Sequence, residues 1–222
     1  MICYETLIMT NKSILRDDIE YAVQCDEHGT IIGPISKIHA HLPGARQVLT
    51  HYSTWSMIFH MPSGRYGIQQ KSPKKHDNHS AGKWDMGIAG HNCYIRKQDG
   101  YRPMSFSETL IKEAHEEIGL TLVMMHSLNA FKQRAQTILR KPIGYIFDQF
   151  HYITKVNNEF VGLGFILTPT TNVSFLDNEV IDFKWLTPVQ LKKFLRTETN
   201  YCDPLPLVFK KAETFRKRYL KP

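Results

Sequence analysis

The 222-residue chain has four cysteines, Cys3, Cys25, Cys93 and Cys202, and no two of them form a CxxC pair. That scatter excludes a disulfide framework and a cysteine-built zinc site, and it predicts reduced thiols in a cytoplasmic protein. No apolar run approaches the roughly 20 residues that a membrane-spanning helix needs. The opening MICYETLIMTNKS has no basic stretch followed by an apolar core, so no secretory signal is expected. Internal repeats and low-complexity linkers are absent from the sequence as well. Acid is in short supply: 21 Asp and Glu against 28 Lys and Arg give a formal charge of +7. A basic surface attracts phosphate esters, nucleic acid or anionic lipid, and charge alone does not choose among them.

What is there is ordinary for a globular domain, with 42% hydrophobic and 22% charged residues. Residues 1–17 are expected to be an arm, and 18–222 one domain that includes a basic C-terminal helix. Ile19–Cys25 and Thr30–Ile35 read as a hairpin around Asp26-Glu27-His28-Gly29. Ser53–His60 and Arg65–Gln70 read as a second pair around Met61-Pro62-Ser63-Gly64. Lys71–Lys83 is polar and basic, hence a loop. Trp84–Tyr94, Ile146–Thr154, Phe160–Leu167 and Val180–Trp185 read as further strands. Thr187-Pro188 opens a helix with Thr as cap and Pro at the first position, and Leu205–Leu220 forms the last helix. Strands on both sides of a central helix predict an α/β sandwich around a mixed sheet.

That central helix carries the chemistry. Ser105-Phe106-Ser107-Glu108 has the form of a capping box, and Gly119 ends the helix. Leu110, Ile111, Ala114 and Ile118 are expected on one side. Glu113, Glu116 and Glu117 fall within an arc of about 100°. Like charges at this spacing cost a few tenths of a kcal/mol each. A hard divalent cation with oxygen ligands removes that repulsion. A solvated acidic face is the alternative that spacing alone leaves open.

The run Lys112-Glu113-Ala114-His115-Glu116-Glu117-Ile118-Gly119-Leu120 resembles the second half of the Nudix box, R-E-U-x-E-E-x-G-U with U aliphatic. Lys112 stands where the family has Arg. Gly90-His91 fits the box glycine if the loop through Arg96–Pro103 is enlarged, and the first box Glu is missing. The resemblance implies a Nudix α/β/α sandwich and a hydrolase of diphosphate linkages that uses Mg2+ or Mn2+. It implies Glu113, Glu116 and Glu117 as metal ligands. Glu116 and Glu117 are then catalytic candidates, and Glu179, just ahead of a strand, is a weaker candidate for the base.

The resemblance extends over roughly 19–195 and is similar to the isopentenyl-diphosphate isomerase-like branch. Gln69-Gln70-Lys71-Ser72-Pro73-Lys74-Lys75, Gly82-Lys83-Trp84-Asp85, Ala89-Gly90-His91 and Asn178-Glu179-Val180 carry it. By that likeness Lys71, Lys75 and His91 would meet the substrate. His39, His51 and His91 match metal-binding positions, with Asn157 and Glu159 where the branch has two acids. Ala89 stands where isomerases have the cysteine that protonates the alkene. Alanine has no proton to give, so isomerisation by that route is not expected.

The expectation is therefore a hydrolase acting on a small-molecule diphosphate. An isoprenoid-diphosphate enzyme is the first alternative. A non-catalytic nucleotide- or RNA-binding module is the second, raised by the imperfect box and by Lys210, Lys211, Arg216, Lys217 and Arg218 on the last helix.

Overall fold

The computed structural model describes residues 15–74 and 80–220. Most of the 1–17 arm, and Lys75, lie outside the described residues. Two compact units emerge, one from 1–52, 91–105 and 151–160, the other from 53–90, 106–150 and 161–222. In chain order the elements are β1 (Tyr21–Cys25), β2 (Ile31–Ser36), α1 (Lys37–Ala40), α2 (Ala45–Val48), β3 (His51–His60), β4 (Arg65–Lys71), β5 (Trp84–Asp85), β6 (Ile88–His91), β7 (Tyr94–Lys97), β8 (Gly100–Pro103), α3 (Phe106–Ile118), β9 (Val123–Met124), α4 (Leu128–Ala135), β10 (Ile143–Ile153), β11 (Asn158–Thr168), β12 (Val180–Leu186), α5 (Pro188–Thr197) and α6 (Leu205–Tyr219).

The larger unit is built on the strand order β12-β4-β3-β11-β10-β9, with β5 beside β4 and β6 beside β3. β9 and β10 run parallel, whereas β4 is antiparallel to β3, β5 and β12. The sheet is therefore mixed, as the sequence predicts. Period-2 alternation divides its two faces. Ile166 of β11 and Ile58 of β3 join Leu110, Ala114 and Ile118 of α3 in one apolar cluster. The next residues along those strands point the other way. Phe165 meets Phe215 of α6, with ring centroids 5.4 Å apart, and Phe59 meets Tyr66 at 5.0 Å. α3 thus packs on one face of the sheet and α6 on the other.

Local chemistry explains the ends of these elements. Thr187 and Gln190 close a capping box at α5, with Pro188 in its first turn. The β3–β4 turn closes with the Gly64 amide on the His60 carbonyl at 3.0 Å. α3 stops at Gly119, whose φ of +70° suits glycine. Its face differs from expectation in one respect. Ile111 is 41% exposed, while Glu117 is fully buried. Seven residues from Leu110 and three from Ala114, Glu117 lies on the core side of the helix.

In the smaller unit β1 pairs antiparallel with β2 from Tyr21↔Ser36 to Cys25↔Ile31 and touches β3 at Gln24↔His51. The turn forms because Asp26 Oδ1 accepts the His28 and Thr30 amides at 2.9 and 2.7 Å. The enlarged loop expected through Arg96–Pro103 is instead a hairpin. β7 pairs with β8 from Tyr94↔Pro103 to Lys97↔Gly100, and Gln98-Asp99 makes the turn. Gly100, with a φ of +119° that suits glycine, opens β8 directly behind that turn.

Candidate active site

The end of β4 organises the larger unit's polar centre. Gln69 and Lys71 are two residues apart and so point to the same face as α3. Lys71 was expected in a loop, holding substrate phosphate. The strand runs one residue further than the sequence indicates, and Lys71 is its last residue, 1% exposed. Its ammonium is bonded to Glu117 Oε1. The other Glu117 oxygen accepts the Gln69 amide at 3.0 Å and the Ala89 backbone N–H at 3.3 Å. Burial alone would pull the Lys71 ammonium down. Glu117, Asp85 and Glu179 outweigh it and hold the group above the ordinary lysine range.

Those two further acids come from the strands that flank β4. Asp85 of β5 lies opposite Gln69, and Val180 of β12 lies opposite Lys71. Glu179 immediately precedes that register, and its carbonyl accepts the Ser72 amide at 2.8 Å. Asn178 turns the chain with φ +60°, and Asp177 Oδ1 accepts the Glu179 amide at 2.9 Å. Burial and the neighbouring carboxylates raise Asp177 above its ordinary value.

Glu113 and Glu116 are held differently. Lys112 Nζ lies 3.1 Å from Glu113 Oε1 and 2.6 Å from Glu116 Oε2. The Lys112 ammonium is pulled down by burial but raised further by these two acids, so its net shift is upward. Gly90 makes room for Glu113. A Cβ there would stand 2.4 Å from the Glu113 carboxyl carbon, so only glycine admits the carboxylate at this place. Burial first, then the charge of Glu117, pushes Glu113 up to about 7 despite Lys112 and Lys71.

Three carboxylates facing two ammonium groups leave an excess negative charge, and Gln69 Oε1 is a buried acceptor without a partner among the described residues. A hard, hydrated cation fits the excess charge at Glu113 and Glu116. It does not fit Glu117 in the same way, because three donors already engage that carboxylate.

A second cluster lies within the smaller unit. His41, His51 and His91 bring one nitrogen each to within 4.8 Å of one another, the one such ligand group among the described residues. His39, matched to this role from the sequence, is exposed and is not a member. It lies inside α1, whereas His41 follows the last turn of that helix. His41 Nδ1 is 2.6 Å from the Lys37 carbonyl and His51 Nδ1 is 3.2 Å from the Leu49 carbonyl. A carbonyl only accepts, so both Nδ1 atoms carry the proton and both Nε2 atoms keep a lone pair. His41 Nε2 lies 3.2 Å from His91 Nε2. His51 Nε2 is buried and without a partner among the described residues. Burial drives His51 down to about 4 and lowers His41 as well, so both rings are neutral at pH 7. Neutral imidazoles oriented by backbone carbonyls suit a transition-metal ion. Glu159 of this unit is buried, and its charge acts on His41.

No protein-family model matches the chain, and no curated protein matches it. Solved structures do. DR0079 from Deinococcus radiodurans superposes with a TM-score of 0.58 at 15% identity, over 87% of this chain and 99% of that one. The chain has the Nudix fold. A MutT protein from Methanosarcina mazei Go1 gives 0.48 at 18% identity, over 75% and 94% of the two chains. A NUDIX-family hydrolase from Clostridium perfringens gives 0.44 at 15%, over 77% and 97%. Within this fold Gly90 lies against Glu113 of α3. The basic C-terminal helix is largely engaged internally. Lys211 pairs with Asp148 at 2.6 Å, and Arg216 and Lys217 both reach Glu213.

Proposed function

We propose that the chain is a divalent-cation-dependent hydrolase of the Nudix type, cleaving a diphosphate linkage in a small phosphorylated substrate such as a nucleoside diphosphate derivative. The observation that carries this reading is the geometry of α3, where Glu113 and Glu116 stand at box spacing and Gly90 admits the Glu113 carboxylate. Bound Mg2+ or Mn2+ supplies charge neutralisation of the diphosphate and a more acidic water. Glu113 and Glu116 would hold it.

In the reaction the oxygen of water bonds to phosphorus. The bridging P–O bond breaks, and its electron pair leaves with the departing phosphate. The proton passes to a carboxylate. Glu116, 42% exposed along its side chain, and Glu179, half-buried at the head of β12, are the candidate acceptors. Glu117 acts by position, fixing Lys71 and the Ala89 amide. Lys75 keeps its proposed part in meeting substrate phosphate. Lys71, turned inward, does not.

The test is release of phosphate or nucleotide from a panel of nucleoside diphosphate derivatives, dinucleotides, capped RNA and isoprenoid diphosphates. Metal-dependent turnover of at least one class is expected. A folded protein that turns over none of them with Mg2+ or Mn2+ would remove the reading.

The histidine cluster favours a second reading, an enzyme of isoprenoid diphosphates like the isomerase branch. Ala89 argues against the isomerisation itself. Conversion of isopentenyl diphosphate by the purified chain is expected to be absent, and robust conversion would replace the first reading by the second.

A further inference from the structure

Glu113, Glu116 and Glu117 each have a lysine within reach, and the two lysines differ. Lys112 is 40% exposed along its side chain and serves two carboxylates from the helix surface. It can swing into solvent when a stronger cation arrives. Lys71 is sealed: its side chain is 2% exposed and that of Glu117 is 0%. Strands on both sides of β4 and the β4 backbone itself fix where its stem begins. Glu117 Oε1 takes the ammonium, and Oε2 takes the Gln69 amide and the Ala89 N–H. A carboxylate has about four lone-pair sites, so three donors leave little for a metal.

We propose that Lys71 is a built-in cation standing where a divalent ion would otherwise meet Glu117. α3 then takes up divalent metal through Glu113 and Glu116 alone, and Lys71 sets how many ions the helix accepts. The inference rests on the reading of α3 as a cation-binding helix. It departs from the box pattern, in which all three glutamates would serve as ligands.

An ammonium and a divalent ion are unlike replacements. Lysine brings one charge on a fixed stem and donates hydrogen bonds, whereas Mg2+ brings two charges and accepts oxygen ligands in an octahedron. Lys71 therefore neutralises Glu117 without carrying a water. The Gln69 amide can donate to Glu117 only while its own oxygen faces away, which accounts for the buried Oε1 left over beside the pair.

The experiment counts Mn2+ bound per chain by electron paramagnetic resonance, in the wild type, in Lys71→Met, and in Lys71→Met combined with Glu117→Gln. Lys71→Met should bind one Mn2+ more than the wild type, and the double variant should lose that extra ion. Equal counts in wild type and Lys71→Met would overturn the proposal, as would an extra ion that persists without Glu117. Ions at the histidine cluster are common to all three proteins and cancel. If Lys71→Met does not fold, the wild type decides alone. In a chain labelled with 15N-lysine, the shielded Lys71 ammonium resonance should survive saturation with Mg2+, and its loss would overturn the proposal. Failure of the underlying reading looks different. It would appear as no Mn2+ lost when Glu113→Gln and Glu116→Gln are introduced together.

Discussion

The carboxylate helix and the histidine cluster solve opposite problems. At α3 the donors are charged, crowded and already supplied with cations from the chain itself. At His41, His51 and His91 the donors are neutral, two of them with lone pairs set by a backbone carbonyl, and one nitrogen is left buried without a partner among the described residues. A site that carries internal counter-ions is stable when empty and selects its metal by charge. A cluster of neutral imidazoles has no charge to balance and selects by ligand softness and geometry. The difference teaches that ligand identity alone does not make a metal site. What matters is whether the chain has already satisfied the ligands by other means.

The largest expected effect would break the carboxylate side of this comparison. Lys71→Ala leaves Glu117 buried and uncompensated, a loss of about 3–5 kcal/mol. For a chain of this size that lowers the melting temperature by roughly 6–20 °C. Adding Glu117→Gln should restore most of it, and a calorimetric melt of the two variants measures both. If the single variant melts like the wild type, the pair contributes nothing and the contrast collapses.

Next in size is Glu113→Gln with Glu116→Gln. Turnover should fall by about a hundredfold or more, since each charged contact to a cation or its waters is worth roughly 1.5–3 kcal/mol. Both side chains retain some exposure, so the melting temperature of the metal-free protein should hold or rise as carboxylate repulsion is removed. Steady-state rates at saturating Mg2+ read the first effect and a melt in chelator the second.

The histidine side is sharpened by Zn2+ titration followed by thermal shift. Zn2+ at a hundred times its dissociation constant should stabilise the wild type by about 2.7 kcal/mol. His51→Ala should abolish the shift, whereas His39→Ala should leave it intact, because His39 is outside the cluster. A shift that depends on His39 and not on His51 would mean the ions bind elsewhere.

The smallest effect is a control. Glu213 is a mostly buried carboxylate with its own cation and no proposed metal. It accepts from Tyr66 at 2.9 Å and from Arg216 at 2.8 and 3.0 Å. Burial would raise its carboxyl, but Arg216 and Tyr66 prevail and hold it below the ordinary value of 4.5. A depressed carboxyl contributes stability that is present above that ordinary value and lost as pH falls below it. Melting temperature measured from pH 6 to pH 3 should therefore decline less steeply in Glu213→Gln than in the wild type. Divalent metal should change neither curve at this site.

Much of this was legible in the sequence. The β3–β4 turn, the Thr187 cap with Pro188 behind it and the Gly119 stop are local signals, and the structure reproduces them. What escaped is non-local. The Lys71–Glu117 pair joins residues 46 apart, and reading Lys71–Lys83 as a polar loop hid it. One signal was available: Glu117 shares the core spacing of Leu110, Ala114 and Ile118, and a buried glutamate demands a buried donor. The sequence does not separate His41 from His39, because both lie in one short stretch and only the end of α1 decides which ring turns toward His51. The β7–β8 hairpin leaves no mark in the sequence pattern because its strands are four residues each, too short for alternation to register.

The two lysines that face the helix carboxylates also bear on how the protein is handled. Zinc fingers and related modules unfold in chelator because the free energy of metal binding is their free energy of folding. Here the chain brings its own counter-ions. α3 can complete its packing against Ile58, Ile88 and Ile166 before any ion arrives, and it can give the ion up without losing its shape. A metal-stripped preparation should then be a folded, inactive protein that regains activity on simple addition of Mg2+, with no refolding step between.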